Sequence, residues 1–336
     1  MKVTIYDVAE KANVSIATVS KVINNRGKIG SETKEKVVRA MEELNYHPSA
    51  VASALTGKRT NTIGLLIPDI SNPFFSEIAR HIENRAHQVG LSVIMCSTDY
   101  NIDKETKYIE LLRRKQVDGL ILSSGFRSDD ILQELIDNKL PVAMIAQHNP
   151  SMAVHMVSID DYKGGYLATN HLLSLGHRNI GIIGENVRSS NLRIYGYRDA
   201  FQDNGLVVNE ENIVRTDGSV ANGYTIATQM MNWSERPTAI FAINDLLAVG
   251  TFQAARELQL RIPEDLSIVS FDNTILARTT VPSLTSIAQP VEEMGAKIVD
   301  LLLEEIEEHK ENKEQILFVP ELIVRGSTGV PAGGAD

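Results

Sequence analysis

From Asn61 onward the chain alternates short apolar runs with helical stretches, and the whole rhythm occurs twice. Strand candidates are Ile63–Ile67, Leu91–Met95, Gly119–Ser123 and Pro141–Ala146, separated by helical stretches such as Phe74–Val89 and Lys104–Lys115. After Val157–Asp160 the pattern restarts with Ile180–Ile183, Ala239–Ile243 and Ser267–Phe271, with helices over Tyr162–Leu175, Leu192–Asn204 and Asp245–Leu258. Strands joined through helices pair in parallel, and a parallel sheet buries both faces under those helices. The sequence therefore predicts an α/β chain with two doubly wound parallel-sheet lobes in tandem. A helix at Val291–Glu308 and a strand at Ile316–Val324 close the fold, and the Gly/Pro/Ala-rich tail from Gly326 to Asp336 is expected to be disordered.

The first 60 residues follow a different rule. They hold ten Lys/Arg and six Asp/Glu, a net of +4, whereas the other 276 hold 23 and 37, a net of −14. A basic head on an acidic body directs any polyanionic partner to the head. Ile5, Val8, Ala9 and Ala12 recur at helical spacing. Ser15 caps a second helix carrying Ile16, Val19, Val22 and Ile23; Ser31 caps a third with Val37, Val38, Met41 and Leu44 inward. Two helices joined by a tight turn outline a helix-turn-helix. Pro48 and Gly57 then frame about two turns of helix, which are marginal alone in water. That stretch reads as a linker or as a hinge that folds against a partner.

Composition excludes several classes. The single cysteine, Cys96, rules out an internal disulfide and a multi-thiolate metal site. No apolar run approaches the roughly 20 residues of a membrane span, and the N-terminus lacks the apolar core of a signal peptide. A cytoplasmic protein with no membrane partner is expected. The dinucleotide fingerprint, the phosphate loop, the H-E-x-x-H pair and the G-x-S-x-G elbow are all missing, and the eight His are scattered. No enzyme, cofactor or metal is expected.

A binding cleft remains. Ligands of doubly wound sheets lie beyond the carboxyl ends of the strands. Those ends carry Asp69 with Asn72, Phe74 and Phe75, then Ser123, Ser124 and Gln147 in the first lobe. The second lobe offers Ser189, Arg193, Asn244, Asp245, Asp272 and Asn273. Hydrogen-bonding groups backed by two phenylalanines suit a small polar ligand with an apolar face, such as a sugar, a sugar acid or a nucleobase. Asp245 could instead cap the helix behind it, and Asn273 could shape a turn.

The ordered motifs Thr4-Ile5-Tyr6-Asp7-Val8-Ala9, Val14-Ser15-x-x-Thr18-Val19-Ser20-Lys21-Val22-Ile23-Asn24 and Leu44-Asn45-Tyr46-x-Pro48 resemble the DNA-binding head of the lac repressor/galactose repressor family. Ile67-Pro68-Asp69-Ile70-Ser71-Asn72-Pro73-Phe74, Phe271-Asp272-Asn273 and Leu284-Thr285-Ser286-Ile287-x-Gln289-Pro290 resemble its core, and the likeness runs from residue 2 to about 327.

The resemblance implies a helix-turn-helix head over 1–47, a hinge helix and linker over 48–60, and a two-lobed, periplasmic-binding-protein-like core over 61–327. Lobe 1 would span 61–160 plus 290–320 and lobe 2 161–289 plus 321–327, with a disordered tail over 328–336. It implies a homodimer on a pseudo-palindromic operator, a transcriptional regulator that represses. Ile16, Ala17 and Lys21 would face base edges and Ser15, Thr18, Ser20 and Asn24 the phosphates, with Lys28 also on DNA. Lys21 stands where the family more often has arginine, so a point ammonium replaces a planar fork. Leu55, with Ala52 beside it, would wedge into the minor groove. The effector residues would be Phe74, Ser123, Gln147, Ser189, Arg193, Asn244, Asp272 and Gln289. Gln147 and Gly218 stand where the family often carries an aspartate and an aromatic that grip a pyranose. The ligand class thus stays open among sugars, sugar acids, phosphosugars and nucleobases, and a protein corepressor is the alternative switch. The end of the chain lacks a leucine heptad, which implies a dimer and not a tetramer. A transport-type sugar receptor would share the core but not the head.

Overall fold

The computed structural model describes residues 3–23, 29–46, 59–124, 126, 128–147, 151–308 and 312–332. Asn24, Lys28, Ala52, Leu55 and the hinge helix expected over 48–57 lie outside them. Contacts divide the chain into two units, residues 1–60 and 61–336.

In the first unit α1 (Ile5–Ala12), α2 (Ile16–Ile23) and α3 (Ser31–Glu43) close on a core of Val8, Ala9, Ala12, Val19, Val22, Val37 and Ala40. Asp7 Oδ2 accepts from the Thr4 backbone N–H and hydroxyl, each at 2.7 Å, which fixes the start of α1. Asn13, at φ 53° and ψ 48°, ends that helix in the left-handed region. Val14 N–H then bonds back to the Ala9 carbonyl at 3.0 Å, making the tight turn into α2. Two sequence expectations are corrected. Val38 is 40% exposed, and Ala40 takes the inward place. Ser31 is the first helical residue of α3, and Gly30 holds the cap position.

The second unit carries two six-stranded sheets of the same wiring. In lobe 1 the strands are β1 (Thr62–Ile67), β2 (Ser92–Ser97), β3 (Gly119–Ser123), β4 (Val142–Ile145), β5 (His155–Ile159) and β11 (Gln315–Phe318), in the order β11-β5-β4-β3-β1-β2. Lobe 2 has β6 (Ile180–Glu185), β7 (Ile213–Thr216), β8 (Ala239–Ala242), β9 (Ser267–Asp272), β10 (Thr285–Ala288) and β12 (Glu321–Ile323), in the order β12-β10-β9-β8-β6-β7. All pairings are parallel except β10 with β12. In each sheet the winding reverses next to the first strand, between β1 and β3 and between β6 and β8, and opens a crevice there. The helices are α4 (Pro73–Gln88), α5 (Ile102–Arg114), α6 (Asp129–Asp137) and α12 (Val291–Glu308) around lobe 1, and α7 (Asp161–Ser174), α8 (Arg188–Asp203), α9 (Val220–Met231), α10 (Asp245–Glu257) and the short α11 (Ile275–Thr279) around lobe 2. No described helix is long and apolar enough to cross a membrane.

The chain crosses between lobes three times, after β5, after β10 and after β11. The third crossing corrects the single strand expected over Ile316–Val324: Val319 and Pro320 interrupt it, and its halves join different sheets. The start of the expected disordered tail is also ordered. Ser327 is fully buried, with its hydroxyl donating to the Ile268 carbonyl at 2.6 Å. Thr328 Oγ1 hydrogen-bonds with His171 Nε2, and the Gly329 carbonyl with His177 Nε2, each at 2.9 Å.

Candidate DNA-reading helix and effector cleft

In the head, Ser15 caps α2: its Oγ accepts from the Thr18 N–H at 3.1 Å and hydrogen-bonds with the Thr18 hydroxyl at 2.9 Å. Val19 and Val22 turn into the core. The opposite face leaves Ile16 41% exposed, Ala17 and Lys21 exposed, and Thr18 and Ser20 half-buried.

In the core, a cavity of about 40 Å³ lies where the carboxyl ends of both sheets meet. Six of the expected residues line it: Phe74, Ser189, Arg193, Asn244, Asp272 and Gln289. Ser123 and Gln147 do not. Ser123 is buried in β3 with its Oγ lacking a hydrogen-bond partner among the described residues, and Ser124 lines the cavity in its place. Ala146, at φ 55°, turns the chain so that Ala146 and not Gln147 reaches the wall. Phe74 and Phe75 meet edge to face, centroids 5.1 Å apart, and supply an apolar wall.

Arg193 is held from three sides. Its Nε and Nη2 both lie 2.8 Å from Asp161 Oδ1, its Nη1 donates to the Ile243 carbonyl at 2.6 Å, and its Cζ sits 3.5 Å from the Phe271 ring centroid. Asp161 opens α7, which lies close against α8; a Cβ on Gly165 would come within 2.1 Å of the Arg193 carbonyl oxygen. The missing side chain at Gly165 is thus what lets the helix bearing Arg193 approach.

Asp272 closes β9 at φ 102°, a conformation that costs an aspartate of order 1–3 kcal/mol. Its Oδ1 accepts from Gln289 Nε2 at 2.8 Å. Burial pushes its carboxyl well above the usual range, against the lowering pull of Arg193. A carboxyl raised in the folded state contributes stability below its unfolded value near 3.9, and that contribution is lost as pH rises through the folded value. Asp272→Asn should therefore gain stability relative to the native protein as pH increases from about 4 toward neutrality. Urea midpoints across that range test this; a pH-independent difference would mean Asp272 is ionised throughout.

Asn244, not Asp245, caps α10: its Oδ1 accepts from the Leu247 N–H at 2.8 Å. Asp245 instead turns behind the cavity wall. It accepts from Ser270 Oγ at 2.5 Å, Thr274 N–H at 2.7 Å, Thr274 Oγ1 at 2.8 Å and Ser286 Oγ at 3.2 Å. Sequence reasoning missed Asp161 and Glu185, both of which line the cavity. Glu185 is the last residue of β6, so extending the expected strand two residues beyond Ile183 would have found it. Burial raises its carboxyl, offset in part by Arg193 and the Asn244 amide. Among the described residues no three His, Cys, Asp or Glu side chains are placed to hold a metal ion.

The head, residues 4–49, matches the family of bacterial regulatory proteins, lacI family, and residues 169–328 match the periplasmic binding protein-like domain. The HTH-type transcriptional regulator DegA of Bacillus subtilis (strain 168) is 47% identical over 98% of both chains. The chain belongs to the lacI family. It is a DNA-binding transcriptional regulator. The repressor PurR of Proteus mirabilis (strain HI4320) is 38% identical over 96% of each chain. The lac repressor dimer bound to operator and the anti-inducer ONPF superposes with a TM-score of 0.87 at 30% identity, covering 98% of this chain and all of that one. Within a lacI-family core, the wall formed by Arg193, Asp161, Asp272 and Glu185 gives this member an acidic cleft.

Proposed function

We propose that this regulator represses transcription in the cytoplasm by binding a pseudo-palindromic operator as a homodimer, and that a small polar effector between its lobes switches it. The carrying observation is Ile16. It projects outward although Val19 and Val22 of the same short helix are buried. An apolar side chain kept out of a small core suits contact with a thymine methyl, and Lys21 on the same helix suits guanine acceptors. Ser15, Thr18 and Ser20 supply short polar groups for phosphates. The homodimer is supported by the solved lac repressor dimer. An apolar groove on lobe 2 agrees with it, lined by Phe252, Leu260, Ile262, Val281 and Pro282, with Val281 91% exposed.

Operator titrations at several salt concentrations test the head. Affinity should fall steeply between about 50 and 200 mM salt if several phosphates are contacted, and a flat dependence would remove the DNA assignment. Lys21→Ala should cost about 1–3 kcal/mol on operator and less on random duplex. Equal losses on both would make Lys21 a phosphate contact.

A further inference from the structure

We infer that the effector carries a protonated amine and that Glu185 and Asp272 receive it. The inference rests on reading the interlobe cavity as the effector site, and it names the charge of the molecule that site takes.

Two further pockets neighbour the cavity, and Glu185 lines all three. Among the described residues, their walls carry the carboxylates of Asp69, Asp99, Asp161, Glu185, Asp217 and Asp272 against one cationic side chain, Arg193. Most of the charges near the cavity are already answered. Arg193 is committed to Asp161. Asp99 pairs with Lys104, and Asp69 Oδ1 accepts from the Ser71 N–H and hydroxyl at 2.8 and 2.7 Å. Among the described residues Glu185, Asp217 and Asp272 are left without a cation of their own, and of these Glu185 and Asp272 line the central cavity.

Their neutral donors do not complete them. Glu185 Oε2 receives the Asn244 amide at 3.3 Å, and the Gly218 N–H also supports the carboxylate. Asn244 is then spent, because its Oδ1 caps α10 and its Nδ2 also reaches the Gly218 carbonyl at 3.4 Å. Asp272 is 8% exposed and lines the cavity, and its Oδ2 meets no donor among the described residues. Gly218 makes the arrangement possible. A Cβ there would lie 2.1 Å from Glu185 Oε1 and 2.7 Å from Asn244 Nδ2, so any side chain would displace the carboxylate.

A phosphosugar or sugar acid would bring a negative charge against two buried carboxyls that burial already disfavours as anions, with the Arg193 guanidinium engaged by Asp161. A neutral polyol would supply donors but no charge. An ammonium supplies three donors and a positive charge together. A metal ion is the wrong cation, since no described trio of ligands is placed to hold one. The Phe74–Phe75 wall accommodates the apolar face of a ring that bears the amine.

The test is a thermal-shift and calorimetric comparison on the full-length protein with probes of one skeleton and different charge: glucosamine, glucose, glucuronate and glucose 6-phosphate, with the galactose series beside them. The amines should bind at least about tenfold more tightly than their neutral counterparts, and Glu185→Gln should erase that preference. Tighter binding by neutral or anionic members, a preference that survives in Glu185→Gln, or no response to either amine overturns the inference. Ser189→Trp, which fills the cavity, separates the two levels. A neutral or anionic probe whose binding is lost in Ser189→Trp keeps the effector site and discards the charge assignment. A probe indifferent to both substitutions binds elsewhere and removes both.

Discussion

Replacing Arg193 by alanine should destabilise the core by about 3–5 kcal/mol and abolish any response to effector. The loss arises because the guanidinium is a buried pin as well as a cavity wall. Its removal strips Asp161, 3% exposed, of its cation and leaves the Ile243 carbonyl without its 2.6 Å donor. Arg193→Lys should recover little, because a single ammonium cannot reach Asp161 and the Ile243 carbonyl while stacking on Phe271. The double variant Arg193→Met with Asp161→Asn should cost less than the sum of the two single changes, since the uncompensated charge is gone. Denaturant midpoints at constant slope give these numbers. A loss below about 1 kcal/mol for the alanine variant would mean the pair contributes no more than a surface ion pair.

The second large effect is expected at Asp245, which lines no wall but sits behind the one that carries Asp272. Asp245→Ala leaves the hydroxyls of Ser270, Ser286 and Thr274 and the Thr274 N–H without their acceptor. Each stranded buried donor costs about 1–3 kcal/mol, and partial rearrangement should hold the total near 3–5. Asp245→Asn retains one acceptor oxygen and should lose roughly half as much. Because Ser286 Oγ also accepts from the Asn273 N–H at 3.0 Å, the strained turn at Asp272 should loosen with it. Effector affinity should then fall in Asp245→Asn even where the protein stays folded. Unchanged affinity in that variant would separate the buried network from the cleft.

The rhythm of the lobes was legible because their central strands are unbroken apolar runs, such as Ile180–Ile183 and Ala239–Ile243. The strands that escaped notice are edge or polar ones: β7 is only half-buried, and β10 reads Thr-Ser-Ile-Ala. Helix α9 hid in a segment with little contrast between its faces, including three residues as polar as Asn222, Thr225 and Thr228. In the cleft, Arg193 and Asp272 stood out because a charge placed in a cleft is costly unless it has a role there. Ser123 against Ser124, and Gln147 against Ala146, could not be separated. The choice depends on which way a strand end faces and on a left-handed alanine, and alanine carries no sequence mark of that conformation. Asp161 was hidden by its position at a helix start, where an acidic residue is ordinarily explained by the dipole alone.

The third crossing between lobes also bears on synthesis. β11 and β12, at residues 315–323, complete one sheet each, and α12 supplies Met294, Ile298, Leu301 and Leu302 to the lobe 1 core. Neither lobe can be finished on the ribosome until nearly the entire chain has emerged, whereas the head is encoded in the first 60 residues. At about 5–20 residues per second, a nascent chain carries a DNA-reading head for roughly 10–50 s before the sensor that governs it exists.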